Sequence, residues 1–130
     1  MDILLKEVSM DFEKAVEKLQ NACGNNGFSV LATKNLDKIF KKALDLDEYA
    51  RYTFVLACSP PLAKMALDVS KKVGLLFPCS FVVYEEDGKI FVGHASIMKA
   101  AVELGLAPEE EMAPVLEETG KRIGKVWDDL

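Results

Sequence analysis

The chain has 130 residues, half of them hydrophobic and 28% charged, with a formal net charge of −5. A chain of this size buries a core without disulfide staples, and its balance of apolar and charged residues excludes a disordered or fibrous protein. Its longest apolar runs, such as Leu75 to Cys79 and Phe81 to Tyr84, fall far short of the roughly 20 residues that span a bilayer.

The segment Met1 to Glu7 carries an acid where a secretory leader needs a basic region, and its apolar run is short. A cytoplasmic protein without a membrane partner is therefore expected. The acidity lies after residue 80, where 11 acidic residues face 5 basic ones. The only clustered cations, Lys34, Lys38, Lys41 and Lys42, are too few for a phosphate-neutralising surface, so nucleic acid is not an expected partner. Cys23, Cys58 and Cys79 are odd in number and widely spaced, and read as reduced thiols. Gly24 to Gly27 follows a helix pattern, whereas a phosphate loop follows a strand. No cofactor is indicated.

Ile3 to Val8 reads as a first strand. Ser9 or Asp11 then caps a helix with Phe12, Ala15, Val16, Leu19, Ala22 and Cys23 on its apolar face, ended by Gly24-Asn25-Asn26-Gly27. Phe28 to Thr33 forms a second strand. Asn35 caps a short helix with Leu36, Ile39, Phe40, Ala43 and Leu44 on one face and lysines on the other. A polar link leads to Tyr52 to Cys58, whose aromatic and β-branched residues suit a buried strand. Ser59 caps the next helix, with Pro60 and Pro61 in its first turn and Leu62, Met65, Ala66 and Val69 buried. After Gly74 comes a strand from Leu75 to Glu85, turned by Glu86-Asp87-Gly88 into Lys89 to His94; Pro78 in the first arm predicts an edge or a bulge there. Ser96 caps a helix stopped by Gly105. A last helix, started by Pro108 or Pro114, carries Leu116, Ile123, Val126 and Trp127.

The order β-α-β-α-β-α-β-β-α-α predicts one α/β domain over residues 1–130, of the two-layer α+β type, with a mixed or mainly antiparallel sheet. Phe28 to Thr33 and Tyr52 to Cys58 are apolar on both faces. Either helices cover both sides of the sheet or a second subunit covers one, and a homodimer is the expected solution.

Two stretches carry a family resemblance. They are Ala57-Cys58-Ser59-Pro60-Pro61-Leu62-Ala63 and Gly74-Leu75-Leu76-Phe77-Pro78-Cys79-Ser80-Phe81-Val82-Val83-Tyr84-Glu85. They resemble the family known as domain of unknown function 302, whose members typically read Ala-Cys-Asn-Pro-Pro-Leu-Ala and Gly-Leu-Leu-Leu-Pro-Cys-Asn-Val-Val-Val-Tyr-Glu. The resemblance implies a compact α/β domain, often a homodimer, and transfers no activity or cofactor. Serines 59 and 80 stand where the family has asparagine. A helix-capping role survives that change at Ser59, whereas a role needing an amide donor does not.

The candidate ligand-binding region is Cys58, Ser59, Pro60, Cys79 and Ser80, read as the pocket of a module that binds a small molecule or its own copy. A second reading is a thiol-dependent enzyme or redox protein, with Cys58 as nucleophile before a helix N-terminus, Cys79 as resolving partner and His94, the sole histidine, as base. Against it, free cysteines pack well in cores, and alternation places Cys79 on one face with Phe81 and Val83. Cys23 reads as packing only. A Cys58, Cys79 and His94 metal site requires adjacent strands that nothing in the spacing imposes, so no metal is expected.

Overall fold

Residues 3–130 of the computed structural model are described below. Met1 and Asp2, which enter the leader reading above, lie outside them. Five strands form one antiparallel sheet in the order β1-β5-β4-β3-β2: β1 Ile3–Val8, β2 Ser29–Asn35, β3 Tyr52–Cys58, β4 Cys79–Glu86 and β5 Lys89–Ala95. Five helices accompany them: α1 Phe12–Asn25, α2 Leu36–Leu44, α3 Pro60–Val69, α4 Ile97–Glu103 and α5 Glu109–Asp128, with a 3₁₀ helix over Lys71–Leu76. The two-layer α+β architecture matches the sequence expectation, and of its two sheet options the antiparallel one is realised throughout.

Strand alternation sorts the side chains. Val55 and Ala57 of β3, Phe81 and Val83 of β4 and Val92 of β5 pack on Phe12, Ala15, Leu19 and Cys23 of α1, Leu62 of α3, and Ile123 and Val126 of α5. A second cluster, with Ala66, Val73, Met98, Ala101, Met112 and Val115, ties α3, the 3₁₀ helix and α4 to the first half of α5. The buried stripe of α5 is Met112, Val115, Thr119, Ile123 and Val126. Thr119 is its one polar member and sits at the seam of the two clusters.

Several boundaries differ from the sequence reading. Pro78 causes neither an edge nor a bulge in β4: the strand begins one residue later, at Cys79, and is the central strand of the sheet. The proline therefore removes no ladder hydrogen bond, and Leu75 and Leu76 belong to the 3₁₀ helix. The bulge instead lies in the edge strand β2, between Val30 and Ala32. Gly24 lies within α1; the chain turns at Gly27, whose φ of 84° suits glycine. Pro108 is the N-cap of α5, and Pro114 lies inside the helix.

The layers are also one-sided. Beneath the other face of the sheet lie Leu5, Phe54, Leu56, Val82 and Phe91, which the register sets side by side. Leu5 is 57% exposed and the rest are half-buried. α2 is strongly amphipathic yet buries none of its side chains; it is anchored by Asp37, whose Oδ1 accepts from the Tyr52 backbone N–H at 3.1 Å, and by Phe40, packed edge-on against Tyr49.

Candidate functional site

Alternation separates the residues grouped by the sequence reading. Cys79 pairs with Ala57 and faces the helices, whereas Cys58 follows Ala57 and faces the opposite side. Ser80 pairs with Leu56 and is exposed on that same open face. Ser59 is buried. As N-cap of α3 it makes no side-chain capping bond, so the capping role expected of its hydroxyl is not realised. Its hydroxyl instead accepts from Arg122 Nη1 at 3.2 Å. Arg122 also donates to Glu118 at 3.2 Å.

Burial pushes the Cys79 thiol up to about 11 and the Cys23 thiol to about 12. Both are therefore protonated at neutral pH and behave as core side chains. Cys58 is partly exposed. It lies two strands away from His94 and three residues along the register, which places their Cα atoms about 14 Å apart, on opposite faces of the sheet. The two do not form a nucleophile and base pair. Among the described residues, no three His, Cys, Asp or Glu side chains converge as a metal site.

His94 does face a cavity, one the sequence reading did not anticipate. The ring stacks on Phe81 with centroids 4.3 Å apart. Its Nδ1 lies 2.9 Å from the Ser80 carbonyl oxygen. A carbonyl only accepts, so Nδ1 carries the proton and Nε2 is left as an acceptor with no partner among the described residues. Burial lowers the pKa of the imidazole, against the smaller opposing effect of the Ser80 carbonyl, and keeps it neutral at physiological pH.

The cavity measures about 360 Å³ and is bounded by Leu4 of β1, His94, Ser96, Lys99 of α4, and Leu116, Thr119, Gly120, Ile123 and Gly124 of α5. Thr119 is 6% exposed, and its Oγ1 is the only buried side-chain oxygen or nitrogen among the described residues with no hydrogen-bond partner. Such a group costs about 1–3 kcal/mol unless something satisfies it. Gly120 and Gly124 stand one helical turn apart, and a Cβ built on either meets no atom within 4 Å. Their missing side chains make the room. Ser96 Oγ is engaged in capping α4, accepting from the Lys99 backbone N–H at 3.2 Å. The Lys99 ammonium forms no ion pair with any described residue.

Sequence reasoning singled out His94 but missed Lys99, Thr119 and the two glycines. The available signal was a pair of glycines four apart inside a helical pattern, which costs helix stability and so asks for a reason.

The fold and this cavity define a class: a two-layer α+β domain with a small pocket of mixed polarity between the sheet edge and its longest helix. Within that class, the chain belongs to the family described as domain of unknown function DUF302, which matches residues 5–130. A crystal structure of an uncharacterised conserved DUF302 protein from Bacillus stearothermophilus is similar to it, with a TM-score of 0.86 at 22% identity, covering 99% of this chain and 98% of that one. At that identity the likeness establishes the fold alone. No curated protein matches the chain.

Among the described residues, no helix is long and apolar enough to cross a membrane.

Proposed function

We propose that the chain is a small-ligand-binding module of the cytoplasm, and that its ligand occupies the cavity between β5 and α5. One observation carries this reading: the orphan Thr119 hydroxyl lines a cavity of about 360 Å³ beside an unpartnered His94 Nε2. A cavity of this size lies within the usual range for small-molecule sites. It replaces the Cys58, Ser59, Pro60, Cys79 and Ser80 region as the preferred site, because those side chains are divided between two faces of the sheet. The test is a ligand-observed NMR screen of a neutral and charged fragment library, with the His94 ring resonances as reporter. Fragments that shift those resonances and lose binding in Gly120→Leu support the reading. A library that leaves His94 untouched counts against it.

A separate observation favours self-association. The uncovered sheet face carries Leu5, Phe54, Leu56, Val82 and Phe91, and strand pairing sets Glu7 at one edge of it and Lys34 at the other. A two-fold axis parallel to the strands stacks the β1 edge of one copy over the β2 edge of the next around an apolar centre; Glu7 already has Lys89 at 4.0 Å within its own chain, so the apolar contact carries the association. Val82→Glu then yields a monomer in analytical ultracentrifugation. An unchanged sedimentation coefficient in that variant excludes this face as the interface.

A further inference from the structure

The chemistry of the cavity wall also says what kind of molecule fits it. We propose that the ligand is a small hydroxy carboxylate, an inference that rests on the cavity being the binding site. Four polar side chains line it; Ser96 Oγ already accepts from the Lys99 backbone N–H, and the other three each set one condition. Lys99 is the only charged side chain among the described lining residues, in a chain whose acids outnumber its bases by 21 to 16. An ammonium without an ion-pair partner at the wall selects an anion, and no lining carboxylate competes for it.

His94 sets the second condition. With Nδ1 donating to the Ser80 carbonyl, Nε2 offers only a lone pair. A ligand satisfies it with an O–H or N–H donor. An ammonium would supply that donor but bring a second positive charge beside Lys99, and a neutral amide N–H only donates, whereas a hydroxyl donates to Nε2 and still accepts from Thr119, so a hydroxyl is the fitting group. Thr119 sets the third: its hydroxyl both donates and accepts, and it closes the network from either the ligand hydroxyl or a carboxylate oxygen. Leu4, Leu116 and Ile123 complete the wall with apolar surface for a carbon skeleton. At ~30 Å³ per water-sized group, the volume holds on the order of ten such groups, enough for a short-chain or single-ring acid.

The experiment uses the full chain and a graded set of probes. Hydroxy acids from glycolate to para-hydroxybenzoate are titrated by calorimetry with NMR detection at His94, each beside its amide and its counterpart lacking the hydroxyl. The best hydroxy acid is expected to bind about tenfold tighter than either counterpart: the amide forfeits the charge-assisted bond to Lys99, and the hydroxyl-free acid leaves the His94 acceptor unmatched. Lys99→Met should abolish the preference for acid over amide, because the acid loses a charge-assisted hydrogen bond and the amide only a neutral acceptor's share of it. Thr119→Val should weaken the acid in a chain that keeps its fold, as judged by its NMR spectrum.

Amides or hydroxyl-free acids that bind as tightly as the hydroxy acids overturn the assigned ligand class. Fragments of other chemistry that shift His94 while no hydroxy acid does so also overturn the class, and leave the cavity as a binding site. Failure of every probe and fragment to reach His94 removes both.

Discussion

Gly120 and Gly124 sit inside α5, where glycine is the costliest residue after proline. Neither has a positive φ, and a Cβ at either position meets nothing within 4 Å. Replacing each with alanine should therefore stabilise the fold by about 0.5–1 kcal/mol. For a domain of this size that is a rise in Tm of roughly 2–4 °C. The same methyl group enters the cavity. Overpacking against a bound molecule costs about 1–3 kcal/mol, so ligand affinity should fall by roughly 5- to 150-fold.

The assay pairs thermal denaturation followed by circular dichroism with titration of the tightest probe. Gly24→Ala is the control: Gly24 is helical, exposed and also without a neighbour at its Cβ, and it is not among the residues that line the cavity. It should gain stability and lose no affinity. Two results refute the reasoning. Loss of stability in Gly120→Ala and Gly124→Ala means the helix there does not accept a side chain. Gain of stability with unchanged affinity in both means the glycines do not make room for a ligand.

His94 predicts a pH dependence. Its pKa is lowered in the folded state from 6.5 by burial, so the unfolded chain binds the proton more tightly. Stability from this group is complete above pH ~6.5 and is lost as pH falls through the lower folded value. Tm should decline on acidification from neutrality, and His94→Gln should flatten that part of the profile; an identical slope in the variant contradicts it. Gly27→Ala should destabilise by about 1 kcal/mol or more, because φ is 84° and the new Cβ would lie 2.7 Å from Arg122 Nη1; chemical denaturation measures this. In native-state alkylation resolved by mass spectrometry, Cys58 should react ahead of Cys23 and Cys79, whose raised pKa values and burial delay labelling until the fold opens. Cys58→Ser should leave probe binding intact, and its loss would return the thiol to the centre of the function.

The sequence by itself determined most of the local structure. Phe12, Ala15, Leu19, Ala22 and Cys23 recur at helical spacing and form the buried face of α1. The Asp87-Gly88 turn joins β4 to β5 with positive φ at both residues, as turn chemistry requires. The paired cysteine motifs marked the family over nearly the whole chain. What remained hidden depends on neighbours distant in sequence. Whether Pro78 lay in a strand was decided by where the β3 and β4 ladder starts. That Cys58 and Cys79 face apart follows from the pairing of Ala57 with Cys79, a register that no local pattern contains. The cavity is the clearest case, since Leu4, His94, Lys99 and Thr119 come from four elements and meet only after α5 has packed across the sheet edge. Periodicity reports which face a residue takes within its own element. A polar group left unpaired between two packed clusters exists only once those clusters have formed.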